Sequence, residues 1–358
     1  VTNRKNSIVF NQPKDNAMYN ASASITSICD AIGVRAGVIS PAAAHPKAIE
    51  LLDDRQNNKL LPMLAAGCVA RMPNASERTS GFGTKDFGNT LANVFKSVTL
   101  RKRVGLLDHR LICDMRELPD FREHTFPNLD TDIHLDEKSE GGETSSDVSL
   151  SDQVGLKAGL ASYTKRIFIS RQVLVDDDVE LIAGLAANVG AAAARREAEK
   201  VYALLEGNPV LDDGEYMFHA GMGNIVGSAF SENALGSAMA ALRNQITPAG
   251  AIANLGTKNL VVASDLEFAA RKLIHESGLG NTVYVVVSPW LANGRWYLTA
   301  DPNLSPAVGL MHLEGSGGNV FVGYIAHDKQ RRDGVLLAVA FDFGTVALGR
   351  VGIVRGGA

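Results

Sequence analysis

Cysteine is scarce in this chain, and that scarcity removes two ways of stapling a fold. Cys29, Cys68 and Cys113 lie far apart with no paired metal-ligand spacing, so neither a disulfide framework nor a structural zinc site is expected. Long apolar runs are missing as well. The longest small-residue stretch, 181–194, is interrupted by Gly184, Asn188 and Gly190 and falls short of what a bilayer core of about 30 Å requires. Positive charge is not in surplus: the net charge of -4 gives no general affinity for phosphate backbones. Catalytic signatures are lacking too. No serine sits in a nucleophile-elbow setting. The segment Gly221-Met-Gly-Asn-Ile-Val-Gly227 has the wrong glycine spacing for a dinucleotide loop and follows no clear strand, and Gly315-Ser-Gly-Gly318 reads as a turn. These patterns give no reason to expect a cofactor or a catalytic residue.

What is present suits a globular protein: 46% apolar and 21% charged residues in a chain of 358, enough for two or three cores. The charge is unevenly laid out. Residues 1–110 carry 15 Lys/Arg against 8 Asp/Glu, a net +7, whereas residues 113–152 carry 3 against 12, a net -9. The positive block ends in Arg101, Lys102, Arg103 and Arg110, and the negative block includes Asp130, Asp132, Asp136, Glu137, Glu140 and Glu143. Acidic runs are commonly solvated loops. The other reading is self-association, in which the acidic segment of one subunit docks near those four cations of another.

Residues 1–45 mix Asn, Ser, Ala and Pro and read as an extended arm with one helix near 21–32. Helices are expected over 45–57 and 62–69, a linker over 74–84, and a further helix over 86–99 from the spacing of Phe87, Leu91, Val94, Phe95 and Val98. Alternation over 130–135 and 163–170 predicts the two strands of a large projecting hairpin. Asp176, Asp177 and Asp178 then stand where the positive end of a helix dipole favours carboxylates. Capping accounts for at least two of them, which weighs against a bound cation. They open a proline-free helix over 179–206, a spine of roughly 42 Å at about 1.5 Å per residue. Its small residues Ala183, Gly184, Ala187, Gly190, Ala191 and Ala194 would let a sheet approach closely.

A second helix is expected over 233–245. After it, Leu260-Val-Val-Ala-Ser-Asp-Leu-Glu-Phe-Ala-Ala-Arg271 joins a buried-type strand to an amphipathic helix, capped by Ser264 or Asp265 and stopped by Gly278. Strands are expected over 283–287, 295–299, 320–325 and 335–341. Helices and strands are partly segregated along the chain, which predicts an α+β fold.

The order of these parts resembles the major capsid proteins of tailed phages, which share the Hong Kong 97 fold. Within them it is most similar to the Mu-like major head subunits and to capsid domains fused behind a prohead protease. The likeness is carried by residues 86–100, 163–178, 201–224 and 259–274, and extends from about residue 85 to the end. Residues 1–84 are read as an N-terminal arm with helices and match no part of that family; the resemblance implies the start of a peripheral domain over 85–114, and an extended loop over 115–171 that lies across a neighbour. It further implies a peripheral domain with the spine helix over 172–255, an axial domain over 256–317, and a return to the peripheral domain over 318–358.

In function the resemblance implies self-assembly into the pentamers and hexamers of an icosahedral shell enclosing double-stranded DNA, with no enzyme activity, cofactor or metal. The implied partners are further copies of the chain, a portal protein, a scaffold or protease during assembly, and a decoration protein. Packaged DNA would be met by weak non-specific contact, and no membrane is involved. The implied location is the virion capsid, assembled in the host bacterial cytoplasm. In some members an isopeptide bond welds the shell, for which Lys138 or Lys157 would supply the lysine. Because the chain opens on Val1, a longer precursor cut during maturation is also an expectation. Two other readings remain open at this point: an encapsulin-like bacterial nanocompartment shell, and a soluble α/β nucleotide-binding enzyme using the 221–227 loop.

Overall fold

The computed structural model describes residues 25–37, 39–53, 60, 85–104, 106–126, 156–247, 250–325 and 334–357. In chain order come α1 (Ile25–Arg35), α2 (Pro46–Asp53), α3 (Lys85–Val104), β1 (Asp114–Leu118), β2 (His124–Phe126), β3 (Leu156–Ala158) and β4 (Ala161–Ser170). There follow α4 (Arg171–Asp176), α5 (Val179–Gly207), β5 (Ile225–Val226), α6 (Glu232–Arg243), β6 (Asn259–Ala263) and α7 (Glu267–Glu276). The chain closes with β7 (Tyr284–Ser288), β8 (Trp296–Thr299), β9 (Val308–Leu313), β10 (Phe321–Ile325), β11 (Gly334–Ala347) and β12 (Ile353–Gly356). The expected helix over 62–69, the linker over 74–84 and the strand over 130–135 lie outside the described residues.

The chain divides into two compact units. The first comprises the described parts of Val1–Arg101, Lys165–Asn188 and Val322–Val339. Here α3 turns Leu91, Phe95 and Val98 inward at helical spacing, and all three are buried. With Ile32 of α1 and Val179, Ile182 and Ala186 of α5 they enclose a small apolar void. Thr99 ties α3 to α5: its hydroxyl donates to the Phe95 carbonyl at 2.9 Å and the Ala186 carbonyl at 3.1 Å. Gly88 lets α3 come close to β10, since a Cβ there would overlap the Tyr324 ring. The small face expected on the spine helix is therefore only partly the buried one: Gly184 is exposed, and Ala186 sits inside because the neighbour at that level is the helix α3.

The second unit comprises the described parts of Lys102–Thr164, Val189–Phe321 and Ala340–Ala358. One sheet places β9 between β1, parallel with Met115 opposite Leu310, and the end of β11, antiparallel with Phe343 opposite His312. A second sheet runs β5-β12-β8-β6-β7. Every residue of β6 is buried, as befits an inner strand with both faces covered. Leu235, Ala238 and Leu242 of α6 and Ala270 and Ile274 of α7 pack with Leu260, Val262, Trp296, Leu298 and Val354 to form its core. Ser231 caps α6 by accepting from the Ala234 amide at 3.2 Å, and Glu232 and Arg243 complement the helix dipole at either end.

The sheets do not follow the expected boundary at residue 317/318. β12, assigned to the returning tail, pairs antiparallel with β8 (Val354 opposite Leu298) and so belongs with the strands of 256–317. Conversely β9, inside the expected axial segment, pairs with β1 and β11. Strand pairing joins residues far apart in sequence, which local periodicity does not encode. The α7 start also differs. A 3-10 turn, Ser264–Leu266, intervenes, and the Asp265 carboxylate accepts from the Gly294 amide at 2.9 Å instead of capping α7. Gly278 ends the helix as expected, in the left-handed region with φ of 71°.

Candidate functional site

The three aspartates before the spine helix take three different roles. Asp176 ends α4, exposed. Asp177 adopts the left-handed conformation (φ 61°), which Asp tolerates better than most residues, and so separates α4 from α5. Its buried carboxylate accepts from the Arg35 guanidinium at 2.7 Å, and Arg35 also reaches the Asp177 carbonyl and Glu180. Asp178 is the cap of α5, its Oδ1 accepting from the Leu181 amide at 3.0 Å. Helix start thus rests on Asp178 alone, and Asp177 instead ties α1 to the α4–α5 corner of the first unit.

The basic residues at the end of α3 are divided in a way their sequence does not reveal. Of the four expected to face a neighbour, Arg103 is almost wholly buried in the second unit, and Arg110 is largely so. Both guanidiniums converge on one carboxylate, Glu197 of α5. Arg103 pairs with its Oε2, and Arg110 Nε donates to its Oε1 at 2.5 Å while Nη2 donates to Oε2 at 3.0 Å. Two imidazoles complete the shell: His109 Nε2 lies 2.9 Å from Oε1 and His312 Nε2 lies 3.5 Å from Oε2. An ionised carboxylate only accepts, so the His109 Nε2 carries a proton toward it. Arg103 and Arg110 also donate to the Gly318 carbonyl, and the Arg103 guanidinium stacks 4.3 Å over the Phe341 ring. Docking of Arg103 on a neighbour is thereby corrected: its charge is spent inside its own subunit.

Burial works against ionisation of Glu197. The hydrogen bonds from His109, His312 and Arg110 and the Arg103 charge outweigh it, holding the carboxyl far below the usual range. Nearby, Cys113 is buried as a thiol, its Sγ donating to the His109 carbonyl at 3.3 Å. Burial, with the Glu197 charge adding to it, pushes that thiol well up. Arg103, His109 and Arg110 stand 87 to 94 positions from Glu197, and Gly318 stands 208 and 215 positions from Arg110 and Arg103, so no motif marks the cluster. One faint signal existed. Glu197 stands three residues after Ala194 and four before Val201, on the apolar face of its helix.

Other expected positions fall elsewhere. The carboxylates of Asp130, Asp132, Asp136, Glu137, Glu140 and Glu143 lie outside the described residues, as does Lys138. Arg101 and Lys102 belong to the last turn of α3. The 221–227 loop forms a 3-10 turn (Ala220–Met222) that leads into the strand β5, so no helix opens directly on its glycines as in a dinucleotide loop; α6 starts only at Glu232. Among the described residues no group of three or more His, Cys, Asp or Glu is placed to hold a metal, and no helix is long and apolar enough to cross a membrane.

Charge here locks the chain's own elements together. The chain belongs to the phage capsid protein family, whose model matches residues 154–356, more than half its length. No curated protein matches it. Among solved structures it is similar to a virus-like particle from Pyrococcus furiosus, with 12% identity, 74% of this chain and 97% of that one covered, and a TM-score of 0.48. It is also similar to a phage-related protein from Bordetella bronchiseptica RB50 (11%, 74% and 95%, TM-score 0.48) and to a structure of Microbacterium phage Oxtober96 (10%, 70% and 90%, TM-score 0.46).

Proposed function

We propose that this phage capsid protein is a major head subunit of the Hong Kong 97 kind, many copies of which form the pentamers and hexamers of an icosahedral shell around double-stranded DNA. The observation that carries the reading is the family match over residues 154–356, which includes the spine helix α5 and the whole β5-β12-β8-β6-β7 sheet. In this reading that sheet with α6 and α7 is the axial domain. The acidic segment between β2 and β3 extends over a neighbouring copy, where Asp130, Asp132, Asp136, Glu137, Glu140 and Glu143 meet Arg101 and Lys102. An exposed ion pair contributes about 0–1 kcal/mol and its field fades within roughly 8 Å at physiological salt, so this docking sets register. Strength comes from apolar burial over an obligate interface of more than about 2,000 Å² per pair.

The same reading places the subunit in the Mu-like group, assembling in the host cytoplasm with a portal protein, a scaffold or protease and a decoration protein, and touching DNA only weakly. Negative-stain microscopy of the purified protein, with nucleic-acid absorbance of the same particles, tests it. Closed shells that contain nucleic acid are expected. Discrete monomers or dimers at high concentration would overturn the proposal, and shells holding a protein cargo without nucleic acid would replace it with a nanocompartment.

A further inference from the structure

Two short hairpins of the second unit present apolar pairs to solvent. In hairpin 209–217 the Leu211 amide donates to the Glu215 carbonyl at 2.9 Å and the Met217 amide to the Pro209 carbonyl at 2.8 Å. Val210 and Tyr216 are therefore directly opposed without bonding each other, the register in which two side chains stand closest on one face. Hairpin 245–253 repeats the pattern: Thr247 donates to Ala251 and Ala253 to Gln245, both at 2.8 Å, leaving Ile246 opposite Ile252. All four side chains are at least half exposed, and Ile252 reaches 69%. Side chains so exposed do little for the subunit's own core.

Both hairpins are anchored to the same stretch of chain, residues 350–353. Arg350 donates to the Tyr216 carbonyl at 2.9 Å and the Glu215 carbonyl at 2.8 Å and pairs with Asp213. Gly352 donates to Gln245 Oε1 at 2.7 Å, and Gln245 Nε2 returns a bond to the Ile353 carbonyl at 2.9 Å. The apolar pairs are thus held rigidly in place, which lowers the entropy lost on docking. Their flanking charges are opposite. The first hairpin carries Asp212 and Glu215, both exposed and both in the field of Arg350, while the second follows Arg243, exposed and donating to Asn254 Oδ1 at 3.1 Å.

Resting on the shell-subunit reading, we infer that hairpin 209–217 of one copy packs against hairpin 245–253 of the next, Val210 and Tyr216 on Ile246 and Ile252, with Asp212 and Glu215 facing Arg243. Two unlike patches on one subunit make a head-to-tail contact, which gives a ring when the rotation from copy to copy closes.

Mixing a Val210→Cys protein with an Ile252→Cys protein before assembly, then oxidising, tests the contact, because a bond between the two new thiols can only join different copies. At least ten-fold more covalent dimer than the wild-type control is expected on a non-reducing gel. Dimer no higher than that control, with particles present, would overturn the inference and leave the shell reading intact. Independently, Asp212→Arg with Glu215→Arg should lower the assembled fraction at least ten-fold, and adding Arg243→Glu should restore it. Full assembly of the doubly reversed variant would overturn the contact; absence of particles from the wild type itself would instead remove the shell reading, and the contact with it.

Discussion

At the scale of single residues, Glu197 carries the most consequence. Two arginines and two histidines have surrendered their water to face it, so removing the carboxylate charge strands buried cations. Glu197→Gln is expected to cost about 3–5 kcal/mol, read from urea unfolding near neutral pH. The pH dependence follows from the direction of its shift. The folded carboxyl titrates far below the ordinary value of about 4.3, so the stabilisation is fully present above that value and declines as pH falls below it. The gap between wild type and Glu197→Gln should accordingly narrow as pH falls below about 4. Cys113 offers a second test in the same neighbourhood. Burial keeps its thiol protonated, so a thiol reagent at pH 8 should label folded wild type and Cys113→Ser equally, and one site fewer in the variant only after denaturation.

At the scale of elements, local pattern was a good guide wherever the cause of structure was local. The spine helix begins at Val179, where the aspartates announce it, and Gly278 stops α7 because its backbone needs the left-handed region. Which aspartate does the capping was not legible, since three identical side chains differ only in the turn they occupy. Asp178→Ala should remove the bond to the Leu181 amide and cost about 1 kcal/mol in thermal unfolding, whereas Asp176→Ala at the exposed end of α4 should be near neutral. β9 escaped detection because Val308-Gly-Leu-Met-His-Leu313 is buried almost throughout and shows no alternation. The short β12 gave too few residues for a period to show.

At the scale of the whole molecule, family membership and charge layout bear on assembly. With Arg103 and Arg110 committed to Glu197, the proposed docking of a neighbour's acidic segment falls to Arg101 and Lys102 of the expected four. Reversing both, as Arg101→Glu with Lys102→Glu, should slow or abolish particle formation in sedimentation while the single subunit keeps its wild-type unfolding midpoint; raised salt should weaken assembly of the wild type in the same direction. The sequence by itself determined the mixed α and β class, the long helix and the strand-to-helix phrase of β6 and α7, because hydrophobic period, caps and helix stops act within a few residues. Only the tertiary structure decided which arginines are buried, which sheet receives the last strand and which hairpins stand exposed around residues 350–353. Each of those depends on groups brought together across some fifty residues or more, where burial and charge pairing reward contacts that no local pattern records.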